Sequence, residues 1–251
     1  MSSEEQIVHH FFHVSKAWLW GECMARARLE MEDEAEAGDS DNSESTVAEW
    51  VGNRVHAEIT GHIFRTPKRI LYDSVTRTER EADRQVEAMV DLAWKLLKEH
   101  RLEIVEREVY MSIVANKGGH RYVLEGTTDM VVRDKDGHRF LLDLKTGARK
   151  PVNVWLQVGL YFWMWESTAK ARKAEPVHGA GVFWIRRPKM GDEIEGRIHI
   201  HSEEDLLAQL RTVAKTSFRR MADNRLSYSP SMHGCACCLA KETCTASPYS
   251  W

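Results

Sequence analysis

The 251-residue sequence has no run of about 18 apolar residues, so no transmembrane helix is expected. The acidic, polar stretch from Met1 to His10 lacks the pattern of a secretory signal, and a cytoplasmic location is expected. There are no internal repeats, which excludes solenoids, and no Walker A loop, which excludes a P-loop motor within the chain itself. Strong net charge is also lacking: the formal value is −3, which neither demands nor forbids a polyanionic partner. With 43% hydrophobic and 29% charged residues, the composition is that of a globular chain rather than a disordered or collagen-like one.

What charge there is falls unevenly. The first 50 residues hold 12 acidic and 3 basic side chains, leaving 26 acidic and 32 basic for the rest, so the body of the chain is mildly basic. Five cysteines are present, four of them within ten residues at Cys235, Cys237, Cys238 and Cys244, and one near the other end at Cys23. Disulfides are not expected in a cytoplasmic chain, and thiols clustered in this way read as ligands of a metal or a metal cluster.

Hydrophobic periodicity predicts the order of elements. Ile7, Phe11, Val14, Trp18 and Leu19 suggest a helix over 5–30, and the segment 32–47 reads as an acidic loop. Helices follow from Thr46 to Phe64 and from Thr78 to His100. Alternation then predicts strands at Glu103–Ile113, Arg121–Gly126, Thr128–Arg133 and Phe140–Leu144, joined by turns at Asn116-Lys-Gly-Gly and Lys135-Asp-Gly. Pro151 fits the start of a helix reaching about Lys173. Strands at His178–Arg186 and Ile194–His201 come next, then a helix capped by Ser202 and running to about Asn224. One α/β domain is expected over 1–251: a mostly helical part over 1–100, an α/β core over 101–201, and a helix with a Cys-rich tail over 202–251.

The chemistry concentrates on the strands. Gly126-Thr-Thr-Asp129 is followed, after a hairpin, by Leu141-Leu-Asp143-Leu-Lys145-Thr-Gly147. Residues two apart on a strand face the same way, so Asp143 and Lys145 share a face, and Asp129 on the neighbouring strand can point at the same spot. Such a group can hold Mg²⁺ or Mn²⁺ through Asp129 and Asp143, with Lys145 beside it. D-x-K alone is common on solvated strand ends. Leu141, Leu142 and Leu144 bury this strand, however, so its charges need a reason to be there. His56 lies on an amphipathic helix upstream, and Gln157 and Tyr161 are spaced i, i+4 on the helix downstream.

In order and combination, a histidine helix, G-x-x-D, D-x-K-T-G and Q-x-x-x-Y resemble the PD-(D/E)xK nuclease superfamily, in its RecB-like branch. The resemblance implies a restriction-endonuclease-like α/β fold with a mixed central sheet flanked by helices. It implies that His56, Asp129 and Asp143 bind the metal, that Lys145 is catalytic, and that Gln157 and Tyr161 support the lysine and DNA. The tail, Cys235-x-x-Cys238 with Cys244 beyond, is similar to that of iron–sulfur members such as CRISPR-associated adaptation nucleases and AddB-type nuclease domains. There, one upstream and three downstream cysteines ligate a [4Fe-4S] cluster; here the ligands would be Cys23, Cys235, Cys238 and Cys244, with Cys237 outside the pattern. Spacing alone does not separate iron from zinc, so a Zn²⁺ site remains an alternative.

The expected activity is metal-dependent exonucleolytic hydrolysis of single-stranded DNA ends by a metal-activated water. A helicase, CRISPR or recombination protein is an expected partner. Rival readings are a structure-dependent endonuclease, a non-catalytic DNA-binding module and a zinc-stabilised interaction module. Three lesser features complete the set. His9, His10 and His13 are expected on a helix, in a surface or packing role. Arg186-Arg-Pro-Lys189 and Arg219-Arg220 are basic surface able to touch phosphate. Trp94, Trp163 and Trp165 are expected in the core.

Overall fold

A computed structural model describes residues 8–16, 44–147, 154–188 and 193–222. Among them, strands β1 (Val8–His13), β4 (Glu103–Lys117), β5 (His120–Arg133), β6 (Arg139–Lys145), β7 (Gly179–Arg186) and β8 (Glu195–His201) form one mixed sheet. Two short strands, β2 (Glu44–Thr46) and β3 (Arg69–Leu71), pair with each other apart from it. The helices are α1 (Val47–Thr60), α2 (Glu79–Glu99), α3 (Val154–Arg172) and α4 (Glu204–Ala222).

β5 organises the sheet. It pairs antiparallel with β4 along nearly its whole length. Its first half takes β1 as a parallel neighbour, and its second half takes β6 as an antiparallel one. β6 continues parallel to β7, and β7 antiparallel to β8. The two-residue period of the strands splits their side chains between two cores. Met130, Val132, Phe140, Leu142, Leu144, Phe183 and Ile185 meet α1 and α2 on one face. Leu124, Val131, Leu141, Ala180 and Val182 meet α3 and α4 on the other. The result is a sheet between two helical layers, the mixed α/β architecture expected from the sequence.

Local chemistry explains the helix starts. Thr46 accepts a hydrogen bond from the Glu49 amide while the Glu49 carboxylate accepts one from the Thr46 amide, a reciprocal cap for α1. Thr78 and Glu81 do the same for α2. α1 ends at Thr60 rather than at Phe64, because Gly61 turns left-handed, with φ of +77°, and sends His62 out of the helix. α3 is buried nearly all round, from Val154 to Trp165, since it lies between the sheet and α4.

Several expectations are corrected. The first described segment is a strand, not a helix. Phe11, assigned to a buried stripe, is 45% exposed, whereas Phe12 is buried, as alternation on a strand requires. Pairing with β5 supplies the backbone partners that make this aromatic, histidine-rich stretch extended. His9, His10 and His13 are therefore on β1, where His10 meets His120 at 3.0 Å and stacks on Tyr122. Among the described residues, the first α-helix before the sheet begins at Val47. The acidic segment ends in β2, and its residues up to 43 lie outside those described. The strands expected at 121–126 and 128–133 are one continuous β5. The first helical bond of α4 is accepted by the Glu203 carbonyl, so Ser202 stands one position outside the cap. Trp165 is buried and Trp163 partly so, but Trp94 is 41% exposed on the outer side of α2. No described helix is long and apolar enough to cross a membrane.

Because Leu142 is fully buried between the central strands and the α1–α2 layer, Leu142→Ala should cost about 2–5 kcal/mol of unfolding free energy. Urea unfolding of the variant against wild type measures it.

Candidate active site

β5 and β6 bring the charged residues together. Met130 pairs with Leu142, so Asp129 and Asp143 stand opposite each other one step further along the antiparallel ladder. Asp143 is almost completely buried, a costly place for a carboxylate. Its Oδ1 accepts a hydrogen bond from Gln157 Nε2 at 3.1 Å. Its Oδ2 receives no well-aligned hydrogen bond from the described residues, and its close cation is Lys145 Nζ at 2.7 Å. Gln157 lies in turn 3.4 Å from the Tyr161 hydroxyl, one turn along α3.

Asp129 is held from two sides. One oxygen accepts the backbone N–H of Leu144, which ties β5 to β6 beside the site. The other lies 3.5 Å from His56 Nδ1, so α1 reaches the same spot from the far layer. Gly126 leaves room for this assembly. A Cβ there would come within 3.0 Å of the Tyr161 ring and closer still to Val14, so any side chain would displace the tyrosine.

The electrostatics are sharply divided. Burial pushes Asp143 up to about 6; Lys145 draws it back and Asp129 adds to the rise. Burial also works against charge on Asp129, but His56, Lys145 and the Leu144 amide outweigh it and hold this carboxyl below its usual range. His56 and Lys145 are both held above their ordinary values, since burial is outweighed by Asp129 for the former and by Asp143 and Asp129 for the latter. Lys145 therefore stays an ammonium ion. Burial raises the Tyr161 hydroxyl, which stays protonated.

All six expected nuclease-site residues, His56, Asp129, Asp143, Lys145, Gln157 and Tyr161, line one cleft of about 380 Å³. The donor set suits a divalent cation that accepts mixed oxygen and nitrogen ligands: two carboxylates, of which Asp143 has a buried oxygen without a regular hydrogen bond, and one imidazole. The donors have not closed to the tightness of Asp134, Asp136 and His138, whose ligand atoms all lie within 4.8 Å of one another. That second group is on the exposed β5–β6 turn, where Asp134 accepts the amides of Asp136 and His138 and so shapes the turn itself.

The cleft also holds residues that sequence reasoning missed. Glu108 on β4 has a left-handed backbone, with φ of +48°, an arrangement that costs about 1–3 kcal/mol in a non-glycine residue. Its carboxylate accepts from Thr60 Oγ1 at 2.7 Å and from His62 Nδ1 at 3.1 Å. Further out, Glu125 accepts from the Tyr110 hydroxyl at 2.8 Å and lies 3.2 Å from His13 Nδ1. The glycine at 61 was the available signal for His62, since it marks where α1 stops. Nothing local marks Glu108, whose neighbours read as an ordinary alternating strand.

Other candidates lie elsewhere. Arg187 is buried and committed to Asp73 at 2.9 Å, Thr76 and Gln85, so it is structural rather than a phosphate contact. Arg186 pairs with Glu195, and Arg219 and Arg220 are exposed at the end of α4. Lys189 and the cysteines 23, 235, 237, 238 and 244 lie outside the described residues.

Residues 14–245 match the PD-(D/E)XK nuclease superfamily. No curated protein matches the sequence. Among solved structures, the crystal structure of SSO0001 is similar at 16% identity, covering 85% of this chain and 91% of its own, with a TM-score of 0.37.

The buried carboxylate has a measurable signature in the metal-free protein. Asp143 binds its proton more tightly folded than unfolded, so its ionisation removes stability as pH rises from near 3.8 to about 6. Relative to wild type, Asp143→Asn should therefore gain thermal stability in chelator as pH rises through that window, and the gain should vanish below it. Melting temperatures of the two proteins across pH 3.5–8 give the comparison.

Proposed function

The chain belongs to the PD-(D/E)XK nuclease superfamily, and we propose that the cleft beside β5 and β6 is its nuclease site, acting as an exonuclease on single-stranded DNA ends. The observation that carries this reading is the meeting of Asp129, Asp143 and Lys145 with His56, Gln157 and Tyr161 in one cleft, from four separate elements. Nucleases of this family work with divalent cations such as Mg²⁺ or Mn²⁺, and DNA is the substrate the family implies.

In this reading His56, Asp129 and Asp143 would hold the cation. When bound, it supplies positive charge that polarises the scissile phosphate and favours ionisation of a water. Lys145 remains protonated, so it serves as a fixed positive charge rather than a base, orienting the attacking water and stabilising charge that develops on phosphate oxygens. Gln157 holds the Asp143 carboxylate from the side opposite the lysine, and Tyr161 keeps the amide in place. Tyr110, which lines the cleft, is exposed to solvent, so a strand end can approach beside it.

The exonuclease assignment is tested on end-labelled and closed circular single strands. Linear strands should be degraded and circles left intact; cleavage of circles would make the enzyme an endonuclease. Asp129→Ala, Asp143→Ala and Lys145→Ala should each lower the rate on linear strands by at least about 10²-fold. Lys145→Ala should still bind Mn²⁺ in calorimetry, because it removes charge stabilisation rather than a ligand.

The iron–sulfur branch of the family is the finer assignment we propose. Cys23, Cys235, Cys238 and Cys244 would ligate a [4Fe-4S] cluster, a reading supported by the resemblance of the tail to iron–sulfur members. A partner protein with helicase, CRISPR or recombination activity suits an enzyme of this branch. A shared cluster would close a loop of 212 positions, and a cross-link of that span contributes about 5 kcal/mol in the chain-entropy account. The anaerobically purified protein should be brown with broad visible absorbance, and Cys23→Ala should lose both colour and stability. Stoichiometric zinc in a colourless, folded protein would instead establish the Zn²⁺ alternative.

A further inference from the structure

We propose that His62, oriented by Glu108, is the general acid that protonates the leaving sugar oxygen during phosphodiester cleavage. The inference rests on the nuclease reading above.

Hydrolysis of a phosphodiester must expel an alkoxide, a poor leaving group unless a proton meets it. None of the six residues discussed above is suited to that task. Lys145 Nζ is engaged by Asp143 at 2.7 Å, the Tyr161 hydroxyl is buried beside Gln157, and His56 Nδ1 is directed at Asp129. His62 lines the same cleft, yet about half of its side chain is open to solvent, so it can exchange a proton with water.

The pairing with Glu108 gives the imidazole its orientation. His62 Nδ1 donates to Glu108 Oε2 at 3.1 Å, while Glu108 Oε1 accepts from the buried Thr60 hydroxyl at 2.7 Å. Each oxygen of the carboxylate is thus engaged, which suits an orienting group better than an open metal ligand. With Nδ1 committed, Nε2 is the ring nitrogen left to meet a substrate atom. The β4–β5 register places the pair: Arg107 is opposite Met130 and Val109 opposite Thr128, so Glu108 stands opposite Asp129. A third carboxylate–imidazole pair of the cleft besides His56 with Asp129, that of Glu125 with His13, belongs to a position four residues back along β5 from Asp129, about 13 Å away at strand spacing.

The step balances without any added reagent. A water oxygen forms its bond to phosphorus as the bond from phosphorus to the sugar oxygen breaks. The electron pair of the broken bond stays on the sugar oxygen, which takes the proton from His62 Nε2. The proton lost by the attacking water passes to solvent, and solvent restores the imidazolium.

A sulfur substitution isolates this role, because a thiolate leaves without needing a proton. Short single strands carrying one scissile linkage are made with bridging oxygen, 3′-bridging sulfur or 5′-bridging sulfur, and cleaved under one metal condition by wild type, His62→Ala and Glu108→Gln. Circular dichroism checks that each variant is folded. His62→Ala should lose about 10²-fold or more in kcat on the oxygen linkage with little change in KM, and recover to near the wild-type rate on one of the sulfur linkages. Glu108→Gln should show the same pattern with a smaller loss, as expected of a positioning residue. Equal losses on oxygen and sulfur, or no loss on either, overturn the assignment while leaving the nuclease reading intact. If wild type cleaves none of the linkages, the nuclease reading fails and this inference fails with it.

Discussion

A carboxylate buried in the middle of a protein is unfavourable unless its surroundings answer its charge, and Asp143 is such a group. Much of the architecture around β6 follows from it. Lys145 is on the same face two residues on, at the distance of a direct ion contact. Gln157 enters from α3 to satisfy the second oxygen, which requires that helix to be buried against the sheet over its first three turns. Tyr161, one turn further, packs where Gly126 withholds a side chain. The remaining imbalance, visible in a carboxyl pushed up to about 6, is what an additional positive charge would relieve. In the proposed reading, a divalent cation and the fold would be linked through this one residue.

The sheet makes this possible by separating two tasks along the same strands. Even-numbered residues of β6 fill the core shared with α1 and α2, whereas Asp143 and Lys145 point with Leu141 toward α3. β5 repeats the division, with Met130 and Val132 in one core and Asp129 and Val131 on the other face. A one-residue slip in either strand would drive charge into a sealed apolar layer. The Leu144 amide, bonded to the Asp129 carboxylate, ties the two strands together at the site itself.

The opposite wall of the cleft is built differently. It depends on two left-handed residues, Gly61 at the end of α1 and Glu108 within β4. The first costs nothing, having no Cβ; the second is strained and is held by Thr60 and His62. Strain located in a cleft, on a residue paired with an imidazole, is consistent with a chemical role there rather than with the needs of packing. In the proposed mechanism, the cationic and anionic groups beside β6 bind and stabilise charge, while the Glu108–His62 pair delivers a proton.

Much was legible in one dimension. The alternation of Glu103–Ile113, the buried leucines around Asp143 and the i, i+4 spacing of Gln157 and Tyr161 are local patterns, and local backbone geometry converts them directly into faces. The helices expected from Thr46 and from Thr78 begin there, and the structure shows why: each threonine forms a reciprocal cap with a glutamate three residues on. Other features depended on partners distant in sequence. Val8–His13 has apolar residues at helical spacing, and only the free edge of β5 made it a strand. Arg187 read as surface charge until Asp73, 114 positions away, was found beside it. Glu108 and His62 met because a helix end and a strand converge in space. Short-range pattern determined which residues could form a site on β5, β6 and α3; long-range pairing alone decided what stands across the cleft from them, because no periodicity within either segment records the contact between the two.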